Sequence, residues 1–162
     1  MSLPLERVLD DGRLHVPIQL RWGDLDAFNH VNNTSMLKLL EEARVRAFWK
    51  PATGEIAPAT AVLDSGISAG LLTLIAHQEI EYLAPVPYQR HPLDIQMWFG
   101  KIGGSSLEIC YEVRSVDATL YARATTLMVL VDAESGKPTR LTPQMREAWH
   151  PLIGEPLEYR RR

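Results

Sequence analysis

Residues 21–44 read RWGDLDAFNHVNNTSMLKLLEEAR, and the reading of this stretch decides the architecture. Its second half has a helical period. Met36, Leu39, Leu40, Ala43 and Ala47 recur at i, i+3, i+4, i+7 and i+11, so they share one side, with Lys38, Glu41, Glu42, Arg44 and Arg46 between them. Leu37, Val45, Phe48 and Trp49 make the remaining surface rather apolar, which predicts a helix over residues 34–49 enclosed on more than one side. Asn32, Asn33 or Thr34 can cap it, because their side chains accept from the exposed N–H groups of the first turn. Pro51 and Gly54 end it. Just before the helix stand two carboxylates, Asp24 and Asp26, and one imidazole, His30. A helix N-terminus offers unpaired N–H groups and roughly half a positive charge, a site for an anion or a developing oxyanion. A carboxylate beside such a site is enough for acyl transfer: one group attacks or activates water, and the other holds the tetrahedral oxygen. A structural reading stands beside the chemical one, since Asp and Asn also turn chains and cap helices without reacting.

Working outward, His15 to Trp22 alternates Val16, Ile18, Leu20 and Trp22 with Pro17, Gln19 and Arg21, the period of a strand with one buried face. Pro17 donates no ladder hydrogen bond, which places it at an edge or a bulge. From Ala59 onward the signal is strand. Leu71 to Leu83 forms one long strand stopped by Pro85 and Pro87, and Leu93 to Ile102 a second. After Gly103-Gly104-Ser105-Ser106, Leu107, Ile109, Tyr111 and Val113 alternate with polar neighbours in a third, and Leu120 to Asp132 is a fourth. Thr142 to Trp149 suggests a short closing helix. Strands run together with one segregated helix predict an α+β fold, an antiparallel sheet packed over that helix. Residues 1–14 are polar and irregular and are expected to be a flexible segment, mobile or draped over the surface. Residues 15–149 form the single domain and residues 150–162 the C-terminal tail, whose end Arg160-Arg161-Arg162 is expected to be frayed and solvated.

The chain's 162 residues suit one domain, and 46% hydrophobic with 23% charged residues is a globular composition. A net charge of −3 argues against a broad nucleic-acid surface. The single cysteine, Cys110, rules out an internal disulfide framework and any Cys-based zinc cluster. No run approaches 18 apolar residues, so no membrane span is expected. The N-terminus lacks the apolar core of a secretory signal, and the expected location is cytoplasmic.

The 21–44 stretch resembles the signature of the hotdog-fold 4-hydroxybenzoyl-CoA thioesterase family and its bacterial acyl-CoA thioesterase branch. The likeness lies in the basic-aromatic pair Arg21-Trp22, Asp24-Leu25-Asp26, the cap His30-Val31-Asn32-Asn33 and the ending Glu41-Glu42-Ala43-Arg44. Glu81-Tyr82-Leu83-Ala84-Pro85, Ile102 to Ser106, and Val129 to Asp132 with Gly136-Lys137-Pro138 resemble further family segments, so the likeness covers roughly residues 15–149. It implies the hotdog fold, a long central helix wrapped by a curved antiparallel sheet, with chains assembled as homodimers or homotetramers and active sites at the dimer interface. By position it implies Asp26 as the catalytic carboxylate, either nucleophile or general base. The backbone N–H groups near Asn32, Asn33 and Thr34 would polarise the thioester carbonyl. Asp24 would order the loop, His30 would support the loop or touch substrate, and Gly103, Gly104, Ser105 and Ser106 would meet part of the CoA arm. Asn29 stands where the family often has Gly, and Met36 where it often has an aromatic residue; residues 55–70 match least.

Some hotdog thioesterases use a helix glutamate instead, which makes Glu41 a lesser candidate. The plainer reading is a solvated glutamate or ion pairs Glu41–Arg44 and Glu42–Arg46. His77, His91 and His150 lack metal-ligand spacing, and no P-loop or Gly-x-Gly-x-x-Gly occurs, so neither metal nor cofactor is implied. No Gly-x-Ser-x-Gly elbow surrounds Ser105 or Ser106, which counts against a serine hydrolase. The expected function is acyl-CoA thioester hydrolysis. The alternatives are a thioesterase acting on acyl-carrier protein and a non-catalytic acyl-CoA-binding hotdog protein.

Overall fold

The computed structural model describes residues 5–66 and 69–160. Six strands and two α-helices appear in chain order: β1 Arg7–Val8, β2 Leu14–Ile18, α1 Asn33–Phe48, β3 Leu71–Tyr82, β4 Leu93–Ile102, β5 Ser106–Arg114, β6 Leu120–Asp132 and α2 Pro143–Trp149. They form one sheet in the order β1-β2-β4-β5-β6-β3, antiparallel at every pairing. This is the expected α+β arrangement, with α1 laid on one face of the sheet. Its stripe Met36, Leu39, Leu40, Ala43 and Ala47 is buried against inward residues of the strands, among them Val16, Ile95, Met97, Ile109, Tyr111 and Met128. At the far end of α1, Phe48, Phe99 and Trp149 pack ring on ring, with centroids 5.3 to 5.8 Å apart. Among the described residues no helix is long and apolar enough to cross a membrane.

The strands expected for β3 through β6 lie within a residue or two of those observed, but β2 stops at Ile18 and Trp22 is 69% exposed. The cause is local. Asp24 accepts from the Arg21 amide at 2.8 Å and the Arg21 guanidinium at 3.0 Å, so residues Trp22–Asp24 curl into a 3-10 turn that throws Trp22 outward onto Tyr88. Pro17 does sit beside an opening, because β1 pairs only with Leu14 and His15 and leaves that side of Pro17 bare. Residues 59–66 form no strand.

Of the two expectations for the N-terminal segment, draped and not mobile describes residues 5–14. β1 pairs with β2, and buried Glu6 accepts from Arg46 at 2.7 Å. That bond takes the arginine that the helix spacing assigned to Glu42. The tail before Arg160 is tied down as well. Gly154 donates to the Phe99 carbonyl at 2.8 Å, Trp98 Nε1 to Glu155 O at 2.8 Å, and the Tyr159 hydroxyl meets Thr125 Oγ1 at 2.7 Å. The segment thus straps the outer face of the sheet. Gly100 makes room for it, since a Cβ there would stand 3.1 Å from Pro156 Cα. Cys110, on the outward side of β5, is fully buried beneath this strap, and burial raises its thiol pKa. Residues 1–4, 161 and 162, for which a flexible start and a solvated end were expected, lie outside the described residues.

The β1–β2 hairpin is held by a pH-sensitive clasp. His15 Nε2 meets Asp11 Oδ2 at 2.8 Å and Nδ1 meets Asp94 at 3.0 Å. Burial pushes the His15 pKa down, but the hydrogen bonds to Asp94 and Asp11 and their charges outweigh it, so the pKa is raised. Burial raises both carboxylates, but the His15 and Gln96 bonds at Asp94, and the Arg13 amide with His15 at Asp11, outweigh it and lower both. A raised histidine stabilises fully below its unfolded value, about 6.5, and loses that contribution as pH rises through the folded value. Depressed carboxylates contribute above their unfolded value, about 3.9, and lose it as pH falls through their folded values. Stability in urea should therefore fall as pH climbs from 6 toward 9, and His15→Gln should flatten that slope. An unchanged slope in the variant would refute the assignment.

Candidate active site

The chain between β2 and α1 closes into a small loop. Leu25 pairs with Val31, the Asp26 amide donates to His30 O at 2.9 Å, and the Asn32 amide to Asp24 O at 2.9 Å. Asn29 turns the tip at φ 63°, the left-handed region that Asn tolerates and Gly prefers, which explains a Gly at this position in the family pattern. Within the loop Asp26 Oδ1 accepts from the amides of Phe28 at 2.8 Å and His30 at 3.4 Å. Among the described residues Asp26 Oδ2 accepts no hydrogen bond, so one carboxylate oxygen is fixed and the other is open. Asp24, 2% exposed and clamped to Arg21, has both oxygens engaged.

Asn32 is the N-cap of α1. Its Oδ1 accepts from the Thr34 amide at 2.9 Å and the Thr34 hydroxyl at 2.8 Å, and Asn33 Oδ1 reaches the same amide at 3.0 Å. This corrects the expectation that the amides of Asn32 to Thr34 together face a substrate. The Asn32 amide is spent on Asp24 and the Thr34 amide on the cap, because a helix start satisfies its own donors wherever a side chain can reach. Of the three, the Asn33 amide has no acceptor among the described residues. Asn32→Ala should cost about 1 kcal/mol of stability, the usual value of an N-cap; a urea midpoint unchanged from wild type would contradict the cap.

His30 bridges to Pro87 and lines a cleft of about 310 Å³ with Val31, Met36, Tyr82, Leu83, Ala84, Pro85 and Val86. Tyr82 joins the site although no catalytic motif in the sequence marks it as a site residue. It donates its hydroxyl to Asn33 O at 3.2 Å, beside the helix start, and burial raises its phenol pKa. The signal was its place at the end of the long strand, two residues before the break at Ala84-Pro85. Two larger grooves, about 1150 and 800 Å³, run along the outer side of α1 past Val45 and Arg46. The larger does not touch the Asp26 loop, and the smaller reaches it only at Gln19 and Arg21, away from the Asp26 carboxylate's partners Phe28 and His30. Exposed Glu41 lines the second of them and pairs with no arginine among the described residues; Arg44, its expected partner, points inward to Tyr111.

The hairpin Gly103–Ser106 lies elsewhere. It joins the end of β4 at Ile102 to β5, whereas the Asp26 loop leaves the other end of the sheet, where Ile18 pairs with Leu93. The ten residues of β4 separate them, about 30 Å at a strand rise of about 3.3 Å per residue. The hairpin's carbonyls are occupied internally: Gly103 O by Arg146, Gly104 O by Leu141 and Ser105 O by Leu130. Asp26, His30 and the Asn32–Thr34 cap therefore come together in one chain, and Gly103, Gly104, Ser105 and Ser106 do not join them.

Residues 20–149 match the family described as the thioesterase-like superfamily. The chain belongs to that superfamily. Among curated proteins it is similar to the uncharacterized Bacillus subtilis protein YsmA, 28% identical over 131 residues, which are 80% of this chain and 80% of YsmA. Among solved structures it is similar to a thioesterase from Thermus thermophilus complexed with coenzyme A and zinc: 24% identity, TM-score 0.66, 90% of this chain and 97% of that one. It is also similar to Slr0204 of Synechocystis, a 1,4-dihydroxy-2-naphthoyl-CoA thioesterase: 19% identity, TM-score 0.68, 85% and 96% covered. At these identities the structural likeness shows the fold, and the fold of this superfamily member is the hotdog.

Proposed function

We propose that the chain is an acyl-CoA thioesterase in which Asp26 drives hydrolysis of the thioester to free CoA and a carboxylic acid. The observation that carries this reading is the loop around Asp26, where two amides hold one oxygen and leave the other open beside the start of a sixteen-residue helix. A carboxylate so held is aimed without being consumed, as attack on a thioester carbonyl or activation of a water requires. The Asn33 amide and the positive end of α1 would stabilise the oxyanion as the carbonyl becomes tetrahedral. Asp24 serves as the clamp that keeps the loop closed, and His30 and Tyr82 shape the cleft for the acyl side.

The working unit on this reading is a homodimer. β3 is an edge strand twelve residues long, with Leu74 and Ile75 exposed and one row of ladder groups unpaired. Antiparallel pairing of two β3 strands would set the Tyr82 end of one copy beside the Leu71 end of the other. The hairpin end of one subunit would thereby approach the Asp26 end of its neighbour, which suits a CoA arm received across the interface. A monomer by sedimentation across micromolar concentrations would overturn this arrangement.

The reading is tested by thiol release from acyl-CoAs of graded chain length, run beside the same acyl groups on acyl-carrier protein. Multiple turnovers on the CoA series support it. Turnover confined to the carrier-bound series would reassign the substrate, and binding of acyl-CoA with no turnover would make the chain a binding protein.

A further inference from the structure

Of the residues that line the cleft beside His30, Met36 and Val86 are the innermost, 1% and 4% exposed, while Tyr82, Leu83 and Pro85 stand exposed at its rim. The cleft meets the candidate site at two points. The His30 amide donates to Asp26 Oδ1 at 3.4 Å, and the Tyr82 hydroxyl donates to Asn33 O at 3.2 Å. Met36 follows Asn33 by three residues on α1, so the two share a side of the helix about one turn apart. The rest of the cleft is pinned by its backbone. The Leu83 and Ala84 amides both donate to Tyr121 O, at 2.8 and 3.1 Å, the Val31 amide donates to Val86 O at 2.9 Å, and His30 bridges to Pro87. Met36 is the adaptable part of the floor, an unbranched thioether with three rotatable bonds. It is also a lining position at which the chain departs from the aromatic residue frequent in the family pattern.

The geometry points to Met36 as the residue that sets acyl length, for substrates whose acyl group is apolar and no longer than about ten carbons. This inference rests on the thioesterase reading for the place of the thioester, at Asp26 and the Asn33 amide. Val31, Met36, Leu83, Ala84, Pro85 and Val86 offer apolar side chains, and the Tyr82 hydroxyl is spent on Asn33 O. Among the described lining residues that leaves the His30 imidazole alone to meet a polar group. A hydroxyl on the acyl chain would give up water there with little in return. The volume, about 310 Å³, lies at the lower end of ligand pockets, about 300–1,000 Å³. At about 30 Å³ for each small group, the share of one water in the liquid, it holds about ten of them. A longer chain leaves its end in water and gains nothing from it. Met36→Ala removes three side-chain heavy atoms and should admit about three more carbons, and Met36→Phe adds three and should exclude as many.

The test measures kcat/KM for butanoyl-, hexanoyl-, octanoyl-, decanoyl-, dodecanoyl- and hexadecanoyl-CoA, with ω-hydroxyoctanoyl-CoA beside them. It uses the full chain and its variants Met36→Ala, Met36→Phe and Met36→Leu. A second readout, the rise in melting temperature caused by the free acids of the same lengths, needs no turnover. A methylene seated in an apolar pocket is worth about tenfold or more. The wild type should therefore gain at least tenfold from butanoyl to octanoyl and stay level beyond decanoyl. The hydroxylated chain should fall at least tenfold below octanoyl. Met36→Ala should carry the rise on to dodecanoyl, Met36→Phe should end it near hexanoyl, and Met36→Leu, of nearly equal volume, should keep the wild-type profile. A wild-type profile that climbs through hexadecanoyl overturns the inference, and does so even where the variants fail to fold. Equal profiles in the wild type, Met36→Ala and Met36→Phe overturn it as well, as does a preference for the hydroxylated chain. Free acids that stabilise the wild type up to about ten carbons and Met36→Ala beyond that, without cleavage of any thioester, would uphold the cleft and refute the thioesterase reading instead. Neither cleavage nor stabilisation would overturn both.

Discussion

Asp26→Asn should lower kcat for thioester cleavage by at least a hundredfold while leaving the fold and KM close to wild type. Asparagine keeps the size of aspartate, and its Oδ1 can still accept from the Phe28 and His30 amides that hold the loop. What it loses is the charge: the amide neither takes a proton from water nor attacks a carbonyl at a useful rate. General-base assistance is typically worth about 10²–10⁴-fold, and loss of a nucleophile costs at least as much. Asp24→Asn provides the contrast. Asp24 has both oxygens bound to Arg21, so its replacement should weaken the clamp and lower stability, with a smaller effect on the rate. Steady-state kinetics and melting curves on both variants separate the roles. An Asp26→Asn enzyme with wild-type turnover would move attention to Glu41.

The largest loss of stability should come from Phe48→Ala. Phe48 is fully buried at the end of α1, 5.3 Å from Phe99 on β4 and 5.8 Å from Trp149 on α2, ring centre to ring centre. These three rings fasten the second half of the helix to the sheet and to the closing helix at one point. Truncating a buried Phe to Ala removes its transfer energy and leaves a cavity, together about 3–5 kcal/mol. Against a total stability of about 5–15 kcal/mol for a domain, that is a large share. Urea unfolding should show it as a lowered midpoint; a loss below about 1 kcal/mol, the size of a single cap, would mean that the cluster does not anchor the helix.

The helix α1 and strand β5 were legible because the 3.6-residue period and alternation follow directly from which side faces the core, and β3, β4 and β6 because prolines and turn residues bound their apolar runs. The features that escaped depend on segments far apart in the chain. Cys110 and Trp98 sit on the outward side of their strands and are buried only because residues 154–159 return across them. Glu6 captures Arg46 from forty residues away, and Tyr111 draws Arg44 inward, so the ion pairs suggested by helix spacing do not form. Trp22 left the buried face because three residues of turn, fixed by Asp24, outweighed the period of the strand before them. At the site, the identity of the loop and its acids could be read from RWGDLDAFNHVNN. Which amides remain open could not, since that turns on where the Asn32 side chain points and on the Asp24 carbonyl.

The claim at the centre of this account is that the Asp26 loop and the start of α1 hydrolyse a thioester. The most direct measurement is free thiol against time for the wild-type chain with an acyl-CoA in large excess, followed with a thiol reagent. Cys110 is fully buried and contributes little background. Sustained release of many CoA molecules per subunit is expected, reduced at least a hundredfold by Asp26→Asn at an unchanged melting temperature. Release no faster than the uncatalysed reaction, or equal release by the two proteins, would contradict it.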